Sequence, residues 1–397
     1  MELPPIPRDA QNLERRDLDD LFASAARECG FGGLFRDSLV VKPFDRPLAS
    51  QRVRLESYLF SLKKAQTSGR GLDVNVAYAD SPEFNAFAVA VGHRHFIGIP
   101  YGTFLLLSDL FLRILAERTT FVGIGDPKAH LEQAKHVRLP LSASDLPTSE
   151  GNPLGWTVGP PDPVRQAYAD YLTGIAFDFL FAHEYQHIEG GHLKWLHEQD
   201  AGALVEFAAP RLRTQEALDR QVLELDADAA ATRWSLKIAV DRSNDQWRVP
   251  ESLRASLQSD DDRVAAWLFA VYALFRYMEE VGGRPTDLGA TAHPRSLMRH
   301  YFTIPAASYI LGGLPCGERL HYLMGNAISE VEGAFGKIVS TPPPSPDPKK
   351  VLQHDFAAHI NRLVRHWPTV RSKVGPIAAE WGGSNAPDEY FELIPEG

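Results

Sequence analysis

Cysteine is nearly absent: Cys29 and Cys316 are the two in 397 residues, far apart and without metal-type spacing. That excludes a disulfide framework and fits a reducing compartment. Positive charge is in deficit, with 41 Lys and Arg against 51 Asp and Glu and a net charge of −10. Such a balance argues against nucleic acid and against an anionic membrane surface as partners. Long apolar runs are missing too. The longest, 264–275, is too short to span a bilayer and is flanked by Asp260-Asp261-Asp262-Arg263 and by Arg276, so it reads as a buried core helix. The start MELPPIPRDAQ has prolines and charges where a signal peptide needs an apolar stretch. These absences together predict a soluble, cytoplasmic protein. No internal repeat is present.

What the chain does have is a core. Hydrophobic residues make up 44% and aromatics 10%, enough for one large domain or two ordinary ones. Residues 1–50 are weakly patterned, with one helix expected near 18–29, and read as an N-terminal extension. Helical spacing of Leu55, Tyr58, Leu59 and Leu62 opens the main domain, 51–340. Leu72, Val74, Val76 and Tyr78 then alternate with polar or small residues as in a half-buried strand. One or two further strands are expected over 84–99 and an apolar helix over 101–117. The stretch 119–162 is rich in Pro, Gly and Asp without periodicity; it reads as an insertion, and as a lid over a cleft.

Asp162-Pro163 has the form of an N-cap followed by proline at the first helical position, and Gly190-Gly191 is a natural stop. Further helices are expected from Thr214 through 223–234, and from a Ser259…Asp262 cap to Gly282-Gly283. The segment 341–350 is a Pro-rich linker, followed over 351–397 by an amphipathic helix of about 24 residues, as its periodicity requires, and an acidic tail.

Inside the helix that starts at Pro163 lies His183-Glu184-x-x-His187. Two histidines four apart lie about 40° apart around the axis and roughly 6 Å apart along it, so both imidazoles can reach one ion. The glutamate between them sits where it can take a proton from the attacking water. This is the physical content of the H-E-x-x-H motif of zinc peptidases. A catalytic zinc needs a third protein ligand, and two candidates exist. His192 follows His183 by nine residues, one short of the ten that the metzincin pattern needs. Glu224, in Leu223-Glu224-Leu225-Asp226-Ala227-Asp228, has the better physical case. It shares a helix face with Asp228, which can accept the other ring N–H of a histidine ligand. Ala227, Ala229, Ala230 and Ala231 keep that helix slim enough to approach the first.

H-E-x-x-H followed by E-x-x-A-D resembles the gluzincin metallopeptidases typified by HtpX and the CAAX prenyl protease. Asp80-Ser-Pro-Glu-Phe-Asn-Ala-Phe-Ala88 is similar to that family's D-S-P-x-x-N-A-F-A strand, and His293-Pro-Arg-Ser-Leu-Met-Arg299 to its H-P-x-x-x-x-R. The four motifs stand in family order over 52–305. The resemblance implies a helix-rich α+β gluzincin-type domain with a small mixed sheet beside the active helix. It implies one zinc ion held by His183, His187 and Glu224, with Glu184 as general base and Asp228 orienting a ligand. The absence of membrane-spanning helices also makes the chain similar to soluble relatives such as the Lit-type phage-exclusion peptidases, likewise built on H-E-x-x-H, and no motif decides between the two.

Two other sets of residues are candidates. Asn85, Ala86, Phe87 and Ala88 are the candidate edge strand for a protein or peptide substrate, with small Ala86 and Ala88 allowing close approach. His293 and Arg299 are candidates for contact with a substrate carbonyl or oxyanion. His93 and His95 read as a polar strand face, and His192, His197 and His300 as ordinary polar residues. The function expected is metalloendopeptidase. The alternative is a zinc-site protein that binds a partner with little turnover.

Overall fold

The alternating stretch forms strand β1 (Asp73–Ala79), with Val74 and Tyr78 buried. The computed structural model of the chain describes residues 8–35, 57, 72–129, 139–146, 159–199, 204–205, 214–244, 249–282, 294–339, 354–391 and 393. Strands β2 (Phe87–Val91) and β3 (Arg94–Pro100) are joined by a two-residue turn, Gly92-His93, in which Gly92 has φ 63°. A positive φ there is what a tight hairpin asks of its first turn residue. β3 lies between its antiparallel neighbour β2 and the parallel β1, and the two-residue β4 (Leu204–Val205) pairs antiparallel with β2. The register opposes Asp73 and Arg94, which form an ion pair of 3.2 Å. Gly98 of β3 faces Phe87 so closely that a Cβ would come within 2.0 Å of its ring.

Helix α1 (Arg8–Glu28) covers one face of this sheet. Phe22, Ala25 and Ala26 join Phe31, Phe87, Val89 and Phe96 in a small core of their own. The other face looks onto the main core through Val74, Ala86, Ala88, Ile97 and Ile99. Helix α2 (Tyr101–Ala116) leaves directly from the end of β3.

Helix α3 (Pro163–Glu189) is capped by Asp162, whose carboxylate accepts the Arg165 N–H at 2.9 Å. From Leu172 to Ile188 it is buried all round, as befits a central helix. It packs on α2, on α5 (Thr214–Val240), on α6 (Asp260–Gly282) and on strands β2 and β3. The short α4 (His192–Glu198) follows α3 across the Gly190-Gly191 turn. Ala227, Ala229, Ala230 and Ala231 are all buried in α5, and α3 and α5 form the most extensive helix pair. The expected cap of α6 is a reciprocal box: Ser259 N–H donates to Asp262 Oδ2 and Asp262 N–H to Ser259 Oγ, both at 3.1 Å. Helices α7 (Ser296–Leu311), α8 (Leu320–Ile338) and α9 (His354–Glu380) complete the body, with α7 and α9 against α5 and α8 against α6.

The fold is therefore helix-rich α+β with a small mixed sheet. The apolar run 264–275 lies wholly inside buried α6. Among the described residues no helix is long and apolar enough to cross a membrane. The helix expected around Leu55 to Leu62 falls outside the described residues except for Ser57, as does the Pro-rich 341–350.

Parts of the aperiodic stretch 119–162 are tied down. Arg165 of α3 spends all five N–H groups on the carbonyls of Leu115, Glu117, Thr120, Phe121 and Ile124, at 2.7–3.0 Å. This holds Phe121 at φ 47°, a left-handed conformation rare for a bulky residue, with its ring against Tyr168 and Phe269. Residues 139–146 are stitched to the turn before β2 by Phe84 N–H to Leu141 O and Ala143 N–H to Pro82 O, and Tyr277 donates to Pro140 O. These portions are packed structure rather than a free flap. The remainder of the expected lid, 130–138 and 147–158, lies outside the described residues.

Candidate metal centre

His183 and His187 share the inward face of α3, and Glu224 meets them from α5. His183 Nε2 lies 3.0 Å from His187 Nε2 and 3.2 Å from Glu224 Oε2, and His187 Nε2 lies 3.5 Å from Glu224 Oε1. Among the described residues they are the one group of three or more such side chains that converge closely enough to share an ion. A tetrahedral zinc with bonds near 2.0–2.1 Å spaces its ligand atoms about 3.3 Å apart. The three separations bracket that value, so the residues fit the ion.

The outer partners orient this set. His183 Nδ1 lies 2.9 Å from Asp228 Oδ1, so its N–H points at that carboxylate and its Nε2 lone pair at the convergence point. Asp228 is in turn held by Arg299 of α7, which donates from Nε to Oδ2 and from Nη2 to Oδ1, each at 2.8 Å. The guanidinium stacks on Phe275 at 4.6 Å and comes within 4.0 Å of Glu224 Oε2. Arg299 thus stands behind the ligands, against Asp228, rather than in the substrate position expected for it. His293 lies outside the described residues.

His192, expected to be an ordinary polar residue after the helix, is instead fully buried beside His187, with Nδ1 to Nδ1 at 2.9 Å. Its Nε2 lies 2.9 Å from Asp226 Oδ2. Gly191 makes this possible by taking φ 79°, which turns the chain back on itself at the N-terminus of α4. The role of Asp226 was missed in the same way. The hint was the run Glu224-x-Asp226-x-Asp228: three carboxylates on a helix this buried each need a partner. Burial alone would raise the Asp226 pKa, but hydrogen bonds from His192, Ala386 N–H and Gln186 hold it below the ordinary carboxylate range.

The centre is rich in buried carboxyl groups. Glu184, Glu224, Asp226 and Asp228 are each 1% exposed or less, with Arg299 as the buried guanidinium beside them. Buried carboxyl groups need hydrogen-bonding or cationic partners. Glu184 also influences Cys29 at the end of α1, whose thiol is pushed up to about 11 by burial, then by Glu28 and by Glu184.

The candidate substrate strand is in place but not open. Phe87 and Ala88 of β2 already pair with Val205 and Leu204. Asn85 is used locally: its N–H donates to Thr103 Oγ1 at 2.9 Å, and its Oδ1 accepts Ala86 N–H at 2.9 Å. His95 is buried against Trp381 at 5.5 Å rather than lying on a polar strand face, and burial lowers its pKa.

The chain matches no family model, no curated protein and no solved structure. The functional reading therefore rests on this geometry and on the motifs.

Proposed function

We propose that the chain is a zinc-dependent peptidase of gluzincin type, hydrolysing an amide bond of a protein or peptide. The observation that carries this reading is the convergence of His183 Nε2, His187 Nε2 and Glu224 within 3.0–3.5 Å, beside a buried Glu184. His183, His187 and Glu224 would hold the ion. When bound, zinc supplies Lewis acidity toward the carbonyl and makes water a nucleophile at neutral pH. Glu184 takes the proton of the attacking water and delivers it to the departing amine. Asp228, clamped by Arg299, keeps His183 in the tautomer whose Nε2 carries a lone pair for the ion.

Substrate must reach a centre that exposes almost nothing. Leu204 and Val205 occupy β2 where an extended peptide would pair, so a substrate strand would take the place of β4. The same burial favours a second reading, a zinc-site protein that binds a partner with little turnover.

The two separate in one assay. An unstructured protein is incubated with the zinc-loaded native chain and with Glu184→Gln, and bound metal is measured in both. The peptidase reading expects cleavage by the native chain and a loss of about 10²–10⁴-fold in Glu184→Gln with metal retained. Full metal without cleavage by the native chain supports the second reading. Equal cleavage by both chains removes Glu184 from the mechanism.

A further inference from the structure

The C-terminal segment is hydrogen-bonded to His187 through two intermediates, Asp226 and His192. After α9 the chain returns beneath the α3–α4 turn. Ser384 O accepts from Gln186 Nε2 at 3.0 Å, and Asn385 Nδ2 donates to Gly190 O at 3.0 Å. Asn385 Nδ2 and Gln186 Nε2 also donate to Asp226 Oδ2, at 3.1 and 3.0 Å, while Ala386 N–H donates to Asp226 Oδ1 at 2.5 Å. With His192 Nε2 on Oδ2 as well, four donors converge on one fully buried carboxylate, three of them on Oδ2 and one on Oδ1. The docking is close on the backbone side too: a Cβ on Gly191 would come within 2.8 Å of Ile377 of α9.

Proton placement follows link by link. Asp226 is an acceptor only, so the hydrogen in its contact with His192 sits on Nε2. A neutral imidazole with N–H at Nε2 accepts at Nδ1. The hydrogen between His192 Nδ1 and His187 Nδ1, 2.9 Å apart, therefore belongs to His187. That leaves the His187 Nε2 lone pair turned toward His183 and Glu224.

We propose that residues 384–386 and Asp226, acting through His192, fix His187 as its Nδ1–H tautomer with Nε2 presented to the metal. This deepens the zinc-peptidase reading and rests on it for its consequence, which is tight zinc retention. Asp226, His192 and Asn385 are positioning residues. The C-terminal element, which sequence patterning separates by a Pro-rich linker, becomes part of the centre's support.

The tautomers can be read without metal. The full chain, labelled with ¹⁵N at histidine and stripped of metal, is examined by imidazole ¹⁵N NMR, and zinc affinity is measured separately by chelator competition. The native chain should show His187 protonated at Nδ1 and His192 at Nε2. Asp226→Ala removes the acceptor of His192 Nε2–H, so it should populate the opposite tautomers and weaken zinc by about 10–100-fold, the usual cost of losing such an outer partner. Asn385→Ala should move both readouts the same way by less, and it carries the comparison if Asp226→Ala does not fold. His192→Asn puts an amide oxygen near the Nδ1 position, so it should retain more zinc affinity than His192→Ala. His187 protonated at Nε2 in the native chain, or tautomers unmoved in Asp226→Ala, would overturn the proposal. Native tautomers as expected with no zinc uptake would uphold the positioning chain and overturn the zinc reading instead.

Discussion

His300 is the clearest residue outside the centre on which physical chemistry makes a demand. It is fully buried in α7 beside Tyr272, at 4.9 Å between rings, and neither ring nitrogen has a hydrogen-bond partner. Burial lowers its pKa from 6.5 to about 3. Above pH 6.5 the residue is neutral in both folded and unfolded chains and exerts no pH effect. Below that, the unfolded chain takes up a proton that the folded chain refuses, so stability falls until the pH passes about 3. The slope is about 1.4 kcal/mol per pH unit. His300→Phe should remove this component. Between pH 7 and pH 5 the native chain should lose about 2 kcal/mol more than the variant in urea unfolding. Parallel losses in the two chains would contradict the assignment. At the same scale, the candidate site was legible in the sequence where helix periodicity fixes geometry, which pairs His183 with His187 on one helix and Glu224 with Asp228 on another. That the two pairs converge depends on how α3 and α5 pack, which spacing does not record. His192 did not obey spacing, because Gly191 redirects the chain by a positive φ that no periodic pattern records.

Among elements, the α2–α3 connection shows how one side chain organises a loop that the sequence presents as shapeless. The carbonyls of Leu115, Glu117, Thr120, Phe121 and Ile124 all turn to Arg165. Arg165→Met should destabilise the fold by about 3 kcal/mol or more, since several buried acceptors lose a charged donor at once. Arg165→Lys should restore only part, because an ammonium has three donors and no planar fork. Equilibrium unfolding checks both, and full recovery with lysine would show that charge alone matters. The caps of α3 and α6, the strand β1 and the alanine-rich approach of α5 followed from local rules. Helices α7 and α8 and the pairing of β4 with β2 did not. Their burial and register are set by surfaces that come together only after α3, α5 and α6 have packed.

At the scale of the whole molecule, the elements at both chain ends pack onto the same body. Helix α1 covers the sheet, and Cys29 at its end lies near enough to Glu184 for that charge to bear on its thiol. Helix α9 lies on α4 and α5, and the residues after it close beneath the α3–α4 turn. Composition and linker signals register properties along the chain and carry no record of these contacts across it. The result is a centre in which His183, Glu184, His187 and Glu224 are each 1% exposed or less. Metal content per chain is measured after zinc loading and dialysis in the native protein and in Glu224→Ala. About one zinc per native chain is expected, as a three-ligand site requires, with a large loss of retained metal in Glu224→Ala. A native chain that retains no zinc, or a Glu224→Ala chain that retains it in full, would contradict the proposed site.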